Sequence, residues 1–184
     1  MNKNITYTLI FINLLFFSCT KPTYQFPKEP YTGGELRTDG FYYTNLYYHD
    51  RNNVPSDGYF HLIFLYRDGL WFEGVSFFEA NDINMISQDC IEHVISAYPW
   101  RYDNINKWGV YKVLKDRLYW TICEYRGMGD WFTSLDSAYI LNDTTFVKVN
   151  YTSQSNGHQP YEITYHFHQF SYKPDSSVAY QWIP

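Results

Sequence analysis

Basic residues are scarce in this chain. Lys and Arg number 14 against 19 Asp and Glu, for a formal net charge of −5. Removing residues 1–18, whose one charge is Lys3, leaves 13 against 19 and a net of −6. Nucleic acid is therefore not an expected partner. Cysteines are few as well, three in all. The 166 residues that follow position 18 are enough to bury a core without disulfide staples. Beyond the N-terminal run there is no second membrane segment. The chain lacks a Gly-x-Ser-x-Gly elbow, a phosphate loop and a His-Glu-x-x-His pair, so neither an enzyme nor a cofactor is expected. It has no internal repeat and no low-complexity tract.

What the chain does have begins at its N-terminus. Met1-Asn2-Lys3 leads into the apolar run Ile10-Phe11-Ile12-Asn13-Leu14-Leu15-Phe16-Phe17 and then Ser18-Cys19. One positive charge, a short apolar stretch and a small residue before the break are the parts of a secretory signal. With Cys at the break, the segment resembles a bacterial lipoprotein signal. That resemblance implies that residues 1–18 are removed, that Cys19 is the lipidated first residue, and that the membrane is a partner through acyl chains such as palmitate. Ordinary signal cleavage, with Cys19 incidental, is the alternative. Thr20 matches no inner-membrane retention signal of the proteobacterial kind, so the analogy points to the outer membrane and leaves the leaflet open.

Residues 19–35 hold three prolines and the pair Gly33-Gly34, and read as an extended tether between the anchor and a domain of residues 36–184. From Leu36 on, turn signals separate short aromatic and β-branched runs. About eight or nine strands are expected, at 41–48, 59–66, 70–77, 108–113, 118–125, 131–141, 145–152, 161–172 and 178–182. Asp68-Gly69, Lys115-Asp116 and Asn142-Asp143 mark hairpins. Between the third and fourth strands, Ile83, Ile86, Cys90 and Val94 recur at helical spacing with Ile91 and Ile95. This predicts one amphipathic helix over 82–97, capped by Asn81 or Asp82 and stopped by Pro99, packed on the sheet or plugging a barrel end.

Aromatic residues make up 22% of the chain, with 20 Tyr, 14 Phe and 6 Trp. Side chains with an apolar body and a polar tip suit a sheet wet on one face or a lumen that receives a ligand. A meander of eight or nine strands must close or double over to remove its edges, and up-and-down barrels do so. The pieces Leu36-Arg37-Thr38-Asp39-Gly40-Phe41-Tyr42-Tyr43, Trp108-Gly109-Val110-Tyr111-Lys112-Val113, Leu141-Asn142-Asp143-Thr144-Thr145-Phe146 and Tyr172-Lys173-Pro174-Asp175-Ser176 resemble the small lipocalin-like lipoproteins of Bacteroidetes. The resemblance implies a mainly β, lipocalin-like antiparallel barrel and a bound apolar or amphipathic molecule. Lipocalins proper carry Gly-x-Trp on the first strand, where this chain has Gly40-Phe41-Tyr42.

Few residues offer chemistry. His166 and His168 leave the same face of one strand and are metal-ligand candidates, with Glu162 on that face and His158 just before it. Because Ile163, Tyr165 and Phe167 form the more apolar, inward face, the His pair is expected to face water. His49, His61 and His93 read as isolated. Cys90 and Cys123 are the thiols an exported domain could oxidise to a disulfide stapling helix to sheet, or two small apolar side chains. Glu73 and Glu124 interrupt aromatic strands. In a lumen their pKa would be raised and they could act as general acids or hold a ligand's polar end, whereas the outer face is the commoner place for a strand glutamate. Residues 98–102 and 127–131 carry aromatics that could meet sugars or a partner protein, or serve as buried anchors. Two function classes follow: a lipid-anchored barrel with an apolar ligand in an aromatic-lined cavity, or an interaction module of the cell envelope with a filled core and an exposed aromatic patch.

Overall fold

Alternation of inward and outward side chains over eight successive strands dictates the architecture seen in a computed structural model, which describes residues 24–46, 59–77, 82–97, 107–125, 131–154, 157–181 and 183. The strands are β1 (Gly40–Leu46), β2 (Tyr59–Leu65), β3 (Leu70–Phe77), β4 (Trp108–Leu114), β5 (Arg117–Tyr125), β6 (Trp131–Asn142), β7 (Thr145–Gln154) and β8 (Gly157–Gln169). Each pairs antiparallel with the next, and β8 closes on β1 from Gly40↔Gln169 to Tyr43↔His166. The result is a closed, lipocalin-like meander barrel with no free edge.

Three short turns lie at one end, at Asp68-Gly69, Lys115-Asp116 and Asp143-Thr144. Gly69 has φ +86°, and a Cβ on it would stand 2.1 Å from the Glu29 carbonyl oxygen, so glycine is required there twice over. This is the turn end of the barrel. The opposite end, which the chain reaches past Leu46, Phe77, Tyr125 and Gln154, is the loop end.

The aromatic excess is explained by two cores on the two faces of one sheet. Inside the barrel, Tyr42, Leu65, Trp71, Tyr111, Leu118, Trp120 and Phe146 pack together. Outside β1 to β4, Phe41, Phe64, Phe72 and Trp108 form a second cluster with Phe26, Ile86, Ile91, Ala179 and Ile183. Neighbours such as Phe41 and Tyr42, or Trp71 and Phe72, are therefore both buried while pointing opposite ways. Strands covered on both faces read as continuous apolar runs, as Leu62 to Leu65 do.

Three expectations are corrected. The helix does not run unbroken over 82–97. A 3-10 turn, Ile83–Met85, is capped by the Asp82 side chain, which accepts from the Asn84 amide; Ile86 is extended; and α1 spans Gln88–Ala97. Its start is capped by Ser87, whose hydroxyl accepts from the Cys90 amide at 3.3 Å. The helix packs on the outer face of the sheet, with Ile91 wholly buried in the outer cluster. The ninth strand is absent, and Ser176–Gln181 form a 3-10 helix instead. Closure of β8 on β1 leaves no edge for a ninth strand, and Asp175 accepts from both the Ser177 amide and hydroxyl, which starts a helical turn.

The third concerns the segment read as a tether, which packs on the barrel from Tyr24 onward. Tyr24 packs against the outer core and Phe26 is buried within it. The Lys112 ammonium lies 4.6 Å from the Phe26 ring centroid. Tyr31 donates its amide to the Arg67 carbonyl at 2.8 Å, and Leu36 joins the inner core. The Tyr24 hydroxyl is buried with no hydrogen-bond partner among the described residues. An unmet buried hydroxyl costs about 1–3 kcal/mol. Tyr24→Phe is therefore expected to raise stability by about 1 kcal/mol, read as a higher urea midpoint at unchanged slope; a lower midpoint would show that the hydroxyl is satisfied.

Candidate functional site

Lengthwise, the barrel interior has two halves of opposite character. The turn-end half is a packed floor. Tyr31 lies against Tyr111 with ring centroids 5.7 Å apart, and Leu36 is 3% exposed, so residues 31–37 plug this end. Tyrosine hydroxyls tie it shut. Tyr42 Oη donates to the Asp143 carbonyl at 2.7 Å and accepts from the Arg37 amide at 2.9 Å, while Tyr111 Oη donates to the Tyr66 carbonyl at 2.9 Å. The void left inside the floor is about 10 Å³, lined by Ile63, Leu65, Trp71, Leu118, Trp120 and Phe146. That is room for one water at most, with no polar partner to hold it.

Above the floor the inner face turns polar. His61 on β2, Thr44 on β1 and Tyr165 on β8 lie side by side across three adjacent strands, with Thr44 opposite His61 in the register. His61 Nε2 is 2.8 Å from Glu73 Oε1, and His61 Nδ1 is 3.2 Å from the Tyr165 hydroxyl. Tyr165 in turn stacks on Phe146 at 4.9 Å and 18°, joining the polar cluster to the floor. Further round, Lys148 on β7 makes an ion pair with Asp136 on β6, and its ammonium lies 5.3 Å from the Trp120 ring. The β6–β7 ladder runs from Asn142↔Thr145 to Ala138↔Lys148, so this pair sits where the ladder ends among the described residues.

Glu73 faces the lumen by strand alternation, two residues after the inward Trp71 and just before an irregularity in β3. Ile63 pairs with Glu73 but Leu62 pairs with Val75, so Gly74 is an extra residue bulged out of the ladder. Glu73 is thus the last inward residue before β3 changes phase. The commoner outward placement of a strand glutamate does not hold here, and neither does a raised pKa. Burial pushes the carboxyl up, but the hydrogen bond and charge of His61, with Lys107 and Lys148 beyond, hold it below the usual carboxylate range. An ionised carboxylate can only accept, so Nε2–H points at Glu73. On a neutral ring Nδ1 then accepts the Tyr165 proton; on a charged ring it donates to the phenol oxygen. The cluster offers a carboxylate, an imidazole and a phenol within one side of the lumen.

The other candidates are scattered. Cys19, His49 and residues 98–102 and 127–130 lie outside the described residues, as do the side chains of Glu124, His158 and Trp131. His166 is exposed on the outer face of β8, and His168 is half-buried with its ring stacked on Phe41 at 5.2 Å. Among the described residues no three His, Cys, Asp or Glu are grouped to hold a metal ion. No disulfide joins Cys90 on α1 to Cys123 on β5.

Reading the sequence residue by residue missed His61. Its partners are 12 and 104 positions away, and β2–β3 and β8–β1 pairing brings them together. The local signal was the two-residue spacing of Trp71 and Glu73, which puts both on one face of β3. No protein-family model matches the chain, and neither a curated protein nor a solved structure matches it.

Proposed function

We propose that the protein is a lipid-anchored envelope lipoprotein whose barrel holds a small amphipathic molecule in its loop-end half. The observation that carries this is the division of the lumen. Among the described residues the floor packs Tyr42, Leu65, Trp71, Tyr111, Leu118, Trp120 and Phe146 together, and the void between them of about 10 Å³ is too small to take an acyl chain. A small ligand resting on Trp120 and Phe146 would meet Glu73, His61, Tyr165 and Lys148 with its polar groups, an apolar surface with a few convergent polar side chains. The lipoprotein part rests on the signal ending at Cys19. The Cys19→Ser variant is expected to leave the membrane fraction.

The ligand reading is tested by native against denaturing mass spectrometry of the chain from Thr20, made in the periplasm and purified without detergent. An extra mass that is lost on denaturation supports it. His61→Ala should then lower retention about 10–100-fold, the value of a charged hydrogen bond of about 1.5–3 kcal/mol. A bare mass, with no uptake of short-chain amphiphiles afterwards, overturns it. That result would favour the second reading, an interaction module, for which Leu114, Leu135, Tyr139 and Leu141 offer an exposed apolar row on β4 and β6.

A further inference from the structure

The path of the first described residues carries an inference that rests on the lipidation of Cys19. Gln25 Nε2 donates to the Thr133 carbonyl at 3.4 Å, and the neighbouring Tyr24, whose phenol is raised chiefly by burial, is near enough to Cys123 to feel a charge there. Cys123 and Thr133 face each other in the β5–β6 ladder two rungs from its loop-end limit, Tyr125↔Trp131. Phe26 lies under Lys112, which pairs with Tyr119 nearer the turn end. Glu29 crosses Gly69, and Tyr31 bonds to Arg67, at the turn end itself. The chain therefore descends the outside of the barrel from loop end to turn end, and its leading residue is held at the loop end.

Residues 20–23 alone separate Cys19 from Tyr24. At about 3.3–3.6 Å per residue, that link reaches about 18 Å at most. β7 runs from Thr145 to Gln154. A strand of that length at about 3.4 Å per residue, tilted by about 40°, gives the barrel a height of about 23 Å. From Cys123 to the turn-end limit of its ladder, Arg117↔Tyr139, is six rungs, about 16 Å along the axis, so only a link stretched almost to its limit back down the wall brings Cys19 level with the turn end, and every shorter path leaves it nearer the loop end.

We propose that the barrel stands on the bilayer that anchors it with its loop end toward the lipid headgroups and its tyrosine-sealed turn end away. The lumen's polar half then faces the lipid surface, and its ligand arrives from the leaflet and not from bulk water. Packing of residues 24–36 sets this orientation. A free tether over the same residues would let the domain turn.

The test uses the full lipidated protein in vesicles of phosphatidylethanolamine and phosphatidylglycerol carrying an acceptor-labelled lipid. A donor dye is placed at Asp116 on the turn end or at Gln154 on the loop end. Energy transfer is expected to be at least about twofold stronger from Gln154, given ends about 20 Å apart. Inserting about 20 Gly and Ser residues after Thr20 adds a reach of about 25 Å and is expected to erase most of the difference. Equal transfer from the two sites with the native link overturns the orientation, including a side-on posture. A mature chain whose mass shows no acyl groups, and which stays off the vesicles, overturns the lipid anchor instead.

Discussion

Trp71→Ala is expected to cost about 3–5 kcal/mol, the largest loss from any single truncation of the floor. Trp71 is 1% exposed and meets Trp120 edge-on at 6.3 Å. Its indole Nε1 donates to the Thr121 carbonyl at 3.0 Å. β4 and β5 pair through Tyr111↔Trp120, and beyond that rung the Thr121 hydroxyl and the Trp71 indole take over from the backbone ladder. Alanine would leave a cavity beside the existing void and a buried carbonyl without its donor. Trp71→Phe keeps most of the packing and loses the donor, so about 1–3 kcal/mol is expected. Gly109 is the counterpart: a Cβ there would stand 2.2 Å from the Thr121 carbonyl oxygen and 2.3 Å from Trp71 Nε1. Gly109→Ala should therefore destabilise although it adds one methyl. Urea unfolding checks all three, read as a lower midpoint at unchanged slope. A Trp71→Ala midpoint within about 1 kcal/mol of the parent would mean that the floor is not packed as described.

Alkaline pH is expected to unfold the barrel between about pH 10 and 12, with the floor tyrosines as the cause. Burial raises the Tyr42 and Tyr111 phenols far above the ordinary 10.0, and it raises Tyr31 to about 12 despite the Leu36 amide donating to its oxygen. Burial also raises Tyr24 well above that value. A folded pKa above the unfolded one means that the native state keeps protons the unfolded chain gives up. The stability is whole below pH 10 and falls as pH rises through that value toward the folded ones. Lys173 acts in the opposite sense. Burial against the Leu65 carbonyl pushes its amine from 10.5 down to about 8, so the penalty for its charge is full below 8 and disappears as pH climbs toward 10.5. Stability should thus rise slightly from pH 8 to 10 before the steep fall. The check is tyrosinate absorbance against near-ultraviolet circular dichroism: the buried phenols should ionise together with the loss of structure. Smooth ionisation near pH 10 with the fold intact would refute the sealed turn end.

The strands and their order were legible because the signals are short-range. Aromatic and β-branched runs alternate with Asp68-Gly69, Lys115-Asp116 and Asn142-Asp143, and the seven pairings of consecutive strands follow from adjacency alone. The inward face of β8 was also legible, since Ile163, Tyr165 and Phe167 alternate with Glu162, His166 and His168. The failures share a physical origin. Ser87 displaced Asp82 as the helix cap because Ile86 is extended, which periodicity cannot detect. The 3-10 helix at 176–181 replaced a strand because the barrel had already closed.

By itself, then, the sequence determined a mainly β meander with one helix between the third and fourth strands and a net negative charge, since periodicity, turn chemistry and charge are properties of neighbours. Tertiary structure alone decided which groups meet. Strand pairing joined Glu73 to His61 and Tyr165, and packing of Tyr24 to Leu36 converted a nominal tether into part of the barrel wall and floor. Those outcomes depend on contacts between residues distant in the chain, made once closure of the barrel placed the strands side by side.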